Sequence, residues 1–380
     1  MRLLYCIPSL NSCGGTERVL TTKLNYLSKL GTYELYVVVT EHFGEIPYFN
    51  LEPNINIINL EIGFSNDRSL IDKIKNYHKR KKTYQNKLLD LLKTIRPNIV
   101  TSYLSHEIDF LHELNDGSIK IGENHFNRNF RFSFVKNNTS NYLHWLIAKY
   151  RDYRLGQDVK KLDALVSLTQ EDAAQWGKVV KKNVIPNPLS FTSSEKSKYS
   201  SKRIIAVGRL SKQKGFDILL EIWSNISLTF PNWKLDIFGE GEELQNLLTI
   251  INQNKLERVQ INAFDKQISK QYIQSDIFVL TSRFEGFGLV IIEAMECGLP
   301  VVAFDCKSGP KEIISDSRDG FIVSMGNIGE FSSKLSDLMR DENIIKEMGK
   351  NAILKAQEYK IDNIMKKWID LYNFLIQGKM

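Results

Sequence analysis

The feature that most constrains this chain is an alternation that runs from one end to the other. Short apolar runs alternate with longer amphipathic segments. Leu3–Ile7, Leu35–Thr40, Ile55–Leu60, Ile99–Tyr103, Ile119–Glu123 and Ala164–Leu168 read as strands, and Gly15–Lys29, Leu70–Thr94, Tyr142–Lys149 and Gln170–Trp176 as helices. In Gly15–Lys29 the apolar residues Val19, Leu20, Leu24 and Leu27 recur near a period of 3.6. Arg96-Pro97 ends the long helix from Leu70, because the residue before proline is pushed out of the helical region. Such a βαβα rhythm implies an α/β protein with parallel sheets covered by helices on both faces.

The rhythm breaks once. Val184-Ile185-Pro186-Asn187-Pro188-Leu189 runs into Ser190–Ser201, which is rich in serine and lysine, lacks periodicity and reads as a linker. The alternation then restarts with strands at Arg203–Gly208, Trp233–Phe238, Val259–Asn262, Ile277–Leu280 and Pro300–Phe304, and helices at Gly215–Ser227, Glu242–Asn254 and Ile268–Gln274; helices close the chain. A length of 380 residues suits two domains. Two doubly wound halves with a cleft between them are expected, with ligands outside the carboxyl ends of the strands. The longest apolar runs fall short of 18 residues, so no membrane span is expected. The apolar start Leu3–Ile7 is too short for a signal sequence and reads as a first buried strand. Cys6, Cys13, Cys297 and Cys306 lack metal-ligand spacing and read as reduced, buried thiols of a cytosolic protein. In that compartment the acceptor pattern Asn138-Thr139-Ser140 carries no meaning.

Ser282-Arg283-Phe284-Glu285-Gly286-Phe287-Gly288-Leu289 follows the strand Ile277–Leu280 and leads into an apolar segment containing Glu293. A helix N-terminus reached through glycine exposes unpaired N–H groups and partial positive charge, which suits a phosphate. Glu285 and Glu293 beside it suit sugar or ribose hydroxyls. Gly208-Arg209-Leu210-Ser211-Lys212-Gln213-Lys214-Gly215 lies just after another strand, where a guanidinium and an ammonium can neutralise a diphosphate; a solvated basic loop would look the same. Gly239-Glu240-Gly241 permits close backbone approach to a base or ribose, or is a plain turn. Gly14-Gly15, ahead of the first helix, makes an anion-tolerant turn without the G-x-G-x-x-G spacing of a dinucleotide fold. His125, at the end of a strand, could touch a sugar hydroxyl or share a proton; a hydrogen-bonded structural histidine is the plainer reading, and His106 is a weaker candidate.

Taken together these residues resemble the retaining nucleotide-sugar glycosyltransferases of family 4, which have the GT-B fold. The resemblance is carried by the E-x7-E segment (Glu285, Glu293), the G-R-L-x-x-x-K-G loop, the early Gly-Gly turn, Ile185-Pro186-Asn187-Pro188, and Asp319, Gly320 and Val323 of a D-G-x-x-V piece. It implies two Rossmann-like domains facing across a deep cleft. Residues 1–188 would bind the acceptor and 189–357 the nucleotide sugar, and a helix within 358–380 would cross back onto the first domain. Arg209 and Lys214 would hold the donor diphosphate, aided by the helix N-terminus at Phe287, Gly288 and Leu289. Glu293 would bind the ribose, Glu285 the donor sugar near the reacting carbon, and His125 the sugar from the first domain. Gly14, Gly15, Gly208, Gly239 and Glu240 would line the donor site. The family usually needs no metal or other cofactor. Where many relatives have a glycine near position 265, this chain reads Asn262-Ala263-Phe264-Asp265-Lys266. Ser308-Gly309-Pro310 resembles a subset of bacterial polysaccharide transferases. Together with Glu123-Asn124-His125-Phe126-Asn127, this points to capsule, O-antigen or lipopolysaccharide-type glycans, with UDP-linked glucose, galactose, GlcNAc or GalNAc as donors.

The net charge of +7 is uneven. Residues 73–96 hold nine lysines and arginines. Residues 131–154 mix Arg131, Lys136, Lys149, Arg151 and Arg154 with Phe132, Phe134, Tyr142, Trp145, Tyr150 and Tyr153, a composition that suits a membrane interface as well as an ordinary amphipathic helix. A peripheral enzyme on the inner face of the cytoplasmic membrane, with an anionic lipid surface and a polyprenyl-diphosphate-linked acceptor as partners, is the expectation. No recognition motif accompanies the charge, so nucleic acid is not expected. The competing readings are another GT-B enzyme, such as an epimerase or phosphorylase, and a catalytically silent nucleotide-binding subunit. Intact Arg209, Lys214, Glu285 and Glu293 argue against silence, and a pyridoxal-phosphate phosphorylase would need a much longer chain.

Overall fold

The computed structural model describes residues 1–12, 14–41, 46–66, 70–128, 142–177 and 181–378. Cys13, Arg131, Phe132, Phe134, Lys136 and Asn138-Thr139-Ser140, singled out above, lie outside the described residues.

The chain divides into two compact units, Met1–Pro188 together with Ile361–Met380, and Leu189–Lys360. The first contains β1 (Arg2–Ile7), α1 (Gly15–Lys29), β2 (Glu34–Val39), β3 (Ile55–Asn59), α2 (Leu70–Ile95), β4 (Ile99–Ser102), β5 (Ile119–Asn124), α3 (Tyr142–Val159), β6 (Ala164–Ser167), α4 (Gln170–Gln175) and β7 (Lys182–Val184). Its seven strands run in the order β3-β2-β1-β4-β5-β6-β7, all parallel. Pleating sends Leu3, Tyr5 and Ile7 of β1 into one core layer and Leu4 and Cys6 into the other. That is why these strands read as continuous apolar runs. Arg96, in the left-handed region at φ 53°, stops α2 before Pro97.

The second unit contains β8 (Arg203–Val207), α5 (Phe216–Ile226), β9 (Lys234–Phe238), α6 (Leu244–Gln253), β10 (Val259–Asn262), α7 (Ile268–Ile273), β11 (Ile277–Leu280), α8 (Leu289–Glu296), β12 (Val301–Phe304), α9 (Pro310–Ile313), β13 (Gly320–Val323), α10 (Ile328–Arg340) and α11 (Glu342–Ala356). Its strand order is β10-β9-β8-β11-β12-β13, again all parallel. In both sheets the order reverses beside the first strand, between β1 and β4 and between β8 and β11. These reversals are the switch points at which open α/β sheets bind ligands. The last helix, α12 (Ile361–Gln377), belongs to the first unit, where Ile364, Met365, Trp368, Leu371, Tyr372 and Leu375 enter the core beside α1.

Several expectations change. β7 and β13 are strands that periodicity did not reveal, since each is three or four residues long and pairs on one side only. Ser190–Ser201 is not a free linker. Ser197 is buried and donates from Oγ to Ser275 O at 2.5 Å, and Lys196 donates from Nζ to Glu296 Oε1 at 2.8 Å. The second unit runs to Lys360 rather than 357, because the Tyr359 carbonyl accepts from Leu189 N and its ring meets Phe287 at 5.8 Å.

Candidate functional site

At the switch point of the second sheet the loops after β8 and β11 are stapled together. Gln213 Nε2 donates to Phe284 O at 3.0 Å, Arg283 N to Gln213 O at 2.7 Å, and Thr281 Oγ1 to Gly215 O at 2.9 Å. The Arg283 guanidinium donates to both Asp217 oxygens, at 2.8 and 2.6 Å, and to Lys212 O at 2.7 Å. Burial works to raise the Asp217 carboxyl, but Arg283 more than offsets it and holds the group below its usual range. Gly215 has φ +65°, and a Cβ there would lie 2.1 Å from Thr281 O, so only glycine allows this closeness.

The stapling sets Lys214 against Glu285. Lys214 Nζ donates to Glu285 Oε1 at 2.7 Å, and Ser282 Oγ donates to the same oxygen at 2.6 Å. The carboxylate is buried and the ammonium keeps partial exposure. Glu285 lies in the turn leading into α8, whose N-cap is Gly288 at φ +97°, with Phe287 buried and Leu289 half-buried behind it. The N-terminus of α8 adds a partial positive charge.

Glu293 is buried inside α8. Its Oε1 accepts from Ser190 Oγ at 2.5 Å, and Tyr272 OH donates to Oε2 at 3.4 Å. Gly208 and Gly239 join the ends of β8 and β9. A Cβ on Gly239 would fall 1.9 Å from Gly208 O, so this turn accepts no side chain. Arg209, after β8, and Glu240, after β9, are exposed. Arg209 is exposed and has no side-chain partner among the described residues, while Glu240 Oε1 is 3.4 Å from the donating Phe264 N. The second unit thus brings together Gly208, Lys214, Gly239 and Glu285 around strand ends, with Gly288 at the start of α8, Glu293 inside that helix and Arg209 exposed.

In the first unit, Gly14 is the N-cap of α1 and Gly15 its first residue. Ser12 Oγ donates to Glu17 Oε1 at 2.7 Å, and the other Glu17 oxygen lies over Gly14, so α1 already carries a carboxylate at its N-terminus. His125 follows β5. Its Nε2 is 2.9 Å from Glu123 Oε1, and its ring stacks on Tyr103 at 4.9 Å. Lys23, from the buried face of α1, donates to Glu123 Oε2 at 2.5 Å and lies 3.7 Å over the Trp368 ring. Burial alone would raise the Glu123 carboxyl; Lys23 and His125 more than offset that and hold it down to about 2. Burial pushes the Lys23 ammonium below its ordinary value, against the pull of Glu123. His106 is set elsewhere, stacked on Phe64 at 3.8 Å.

Sequence reasoning missed Lys23, Asp217, Ser190 and Tyr272, and it gave no part of their own to Glu123, Ser282 and Arg283, which stand inside motifs it singled out. Lys23 had a signal: it sits on the apolar stripe between Leu20 and Leu27. The free thiols Cys6, Cys297 and Cys306 are buried. Burial pushes the Cys297 thiol up to about 12, which leaves it inert at neutral pH. Among the described residues no group of His, Cys, Asp and Glu could hold a metal ion, and no helix is long and apolar enough to cross a membrane.

The family described as "Glycosyl transferases group 1" matches residues 191–355. An "Uncharacterized glycosyltransferase" of Haemophilus influenzae is 30% identical over 371 residues, covering 96% of this chain and 98% of that protein. A Campylobacter jejuni enzyme named GalNAc-alpha-(1->4)-GalNAc-alpha-(1->3)-diNAcBac-PP-undecaprenol alpha-1,4-N-acetyl-D-galactosaminyltransferase is 25% identical, with 98% of each chain covered. Among solved structures, S. aureus TarM, crystallised with Fondaparinux, alpha-GlcNAc-glycerol and UDP, superposes with a TM-score of 0.78 at 16% identity over 98% of this chain and 99% of its own. The paired parallel sheets, the near full-length relative and the stapled Lys214–Glu285 turn agree: the chain belongs to the group 1 glycosyl transferases, of the family 4 type with the GT-B fold.

Proposed function

We propose that this protein is a retaining glycosyltransferase that moves a hexose or N-acetylhexosamine from a UDP-sugar to a growing, lipid-linked surface glycan. The observation that carries this reading is Lys214 held 2.7 Å from Glu285 at the switch point of the second sheet, in the turn that opens α8. The diphosphate is a good leaving group, so the catalytic task is to stabilise its growing charge. Arg209, Lys214 and the α8 N-terminus at Phe287, Gly288 and Leu289 do this. Arg209 needs no rearrangement, because its guanidinium has no partner to give up among the described residues. Glu285 contacts the transferred sugar and orients Lys214. Glu293 takes the ribose hydroxyls, and Gly208, Gly239 and Glu240 line the base side. In the first unit, the resemblance to family 4 gives Gly14 and Gly15 a role toward the diphosphate and His125 a role toward the sugar. Lysine and arginine neutralise the charge, so the reaction needs no metal. The carboxylates do not act as a glycosidase acid and base, which would have to flank the scissile bond.

The UDP in the TarM crystals supports a uridine donor, and the undecaprenyl-diphosphate-linked glycan in the name of the Campylobacter relative supports a lipid-linked acceptor. The enzyme acts at the inner face of the cytoplasmic membrane. α3 supports this location: Leu146, Ile147, Tyr150 and Tyr153 are exposed among Lys149, Arg151 and Arg154, which suits an anionic lipid surface. UDP release from UDP-glucose, UDP-galactose, UDP-GlcNAc and UDP-GalNAc, in EDTA, with and without a polyprenyl-diphosphate glycan, tests the reading. One donor should turn over, faster with the acceptor, into a product that keeps the donor's anomeric configuration. Glu293→Ala should weaken UDP binding. UDP binding without turnover of any donor would favour a silent nucleotide-binding subunit instead.

A further inference from the structure

We propose that Lys23 and Glu123 are positioning residues that fix the protonation pattern of His125. They hold a neutral ring with its hydrogen on Nε2, so that Nδ1 receives a hydroxyl of the substrate and not a phosphate. The identity of that hydroxyl as a sugar hydroxyl rests on the donor reading above; the pattern on the ring does not.

A carboxylate only accepts hydrogen bonds. Glu123 is a carboxylate, because the Lys23 ammonium donates to its Oε2 at 2.5 Å while burial shuts out water. Its Oε1 lies 2.9 Å from His125 Nε2, so Nε2 carries the hydrogen. Stacking on Tyr103 at an interplanar angle of 14° fixes the plane of the ring. Nδ1 has no partner among the described residues. A neutral ring therefore presents a lone pair there.

Lys23 decides the charge. A buried carboxylate beside an imidazole ordinarily draws a second proton onto the ring. Here the ammonium already supplies the countercharge, and a second cation would enter a cluster walled by Tyr5 of β1, Tyr103 after β4, and Trp368 and Tyr372 of α12. Among the described residues, Glu17 of α1 also acts on this cluster, through Tyr103. A lone pair on Nδ1 attracts O–H and N–H donors and repels phosphate oxygens, so the ring favours a hydroxyl over a phosphate.

Long-range proton–nitrogen correlation spectra of the full chain labelled with ¹⁵N-histidine read the ring directly. The six histidines are resolved by comparison with His125→Gln. At pH 7.5 His125 should show the neutral pattern with hydrogen on Nε2; hydrogen on Nδ1, or an imidazolium, overturns the proposal. In Lys23→Met the ring should take up a second hydrogen at pH 7.5, and an unchanged pattern removes the role of Lys23. Should that variant not fold, Glu123→Gln still tests the positioning: it should release the ring into a mixture of tautomers, and an unchanged pattern overturns it. Adding a UDP-sugar should shift Nδ1, whereas UDP alone or inorganic phosphate should not; a shift with phosphate overturns the selectivity. If the fixed tautomer is found but no UDP-sugar moves it and none turns over, the donor reading fails and the positioning stands.

Discussion

Each unit carries one lysine–glutamate pair near the carboxyl ends of its central strands, and the two pairs live in opposite surroundings. In the first unit Lys23 and Glu123 have 1% and 2% of their side chains exposed and are enclosed by aromatic rings. In the second, Lys214 and Glu285 have 17% and 6% exposed, and the ammonium opens toward solvent from a short 3-10 turn. The same two residue types serve two purposes. A fully buried pair can only support its neighbours, because neither charge can be re-solvated or offered to a ligand. A pair with one partly exposed member can pass its charge to an arriving anion while the buried member keeps its direction. Burial, rather than residue identity, separates the positioning pair from the substrate-facing one.

The sharpest way to break this contrast is to remove each lysine. Lys23→Met leaves Glu123 as an uncompensated buried charge and should cost about 3–5 kcal/mol of stability in urea denaturation. Lys214→Ala removes the partly exposed member of the pair, so water can take its place beside a carboxylate that Ser282 still serves, and the stability cost should stay near 1 kcal/mol. Its effect should appear instead in donor turnover, as a barrier raised by about 2–4 kcal/mol. A Lys23 variant as stable as the native chain, or a Lys214 variant with normal turnover, would erase the distinction.

Acid should also separate the units. The Glu123 carboxyl titrates at about 2 in the fold, against 4.5 for an ordinary glutamate. Because the folded value is depressed, its contribution is fully present above about pH 4.5 and is lost as pH falls from there toward 2. Lys23 stays charged throughout that window and adds no slope. The loss should approach about 3 kcal/mol. Unfolding free energies measured from pH 6 down to pH 2.5 should fall more steeply for the native chain than for Glu123→Gln. Parallel curves would mean that Glu123 is not held ionised by its neighbours.

The alternation of apolar and amphipathic segments was enough to read two doubly wound sheets, since strands buried on both faces leave continuous runs that period arguments detect. β13 escaped because Gly320-Phe321-Ile322-Val323 is short and follows a turn, and β7 because it edges the sheet just ahead of two prolines. Ser190–Ser201 has the composition of a linker, yet its hydroxyls and Lys196 bind backbone and Glu296; composition does not report such bonds. At the site, glycines and glutamates with fixed spacing were legible because the backbone approach and the helix entry demand them. Arg283 and Asp217 were not, being 66 residues apart and unremarkable until folding brings them together. Lys23 was legible in principle, as a charge on the apolar face of α1, but its partner on β5 was not.

The smallest expected effect probes the weakest of these links. The Arg283–Asp217 pair is bidentate, with both side chains a little over a third exposed, so solvent screening leaves it about 0.5–1 kcal/mol of stability. Its location gives it a second consequence. Arg283 also donates to Lys212 O, so the pair tethers the turn that aims Lys214. Asp217→Asn keeps the shape and weakens the tether without touching Lys214 or Glu285. Denaturation should barely register the change, while donor turnover should fall severalfold as the ammonium loses its fixed direction, because small displacements of a positioned group slow a reaction out of proportion to their cost in stability. The opposite result, a clear loss of stability with unchanged turnover, would mean that Lys214 is aimed by Glu285 alone and that the stapled turn serves only to hold β8 and β11 together.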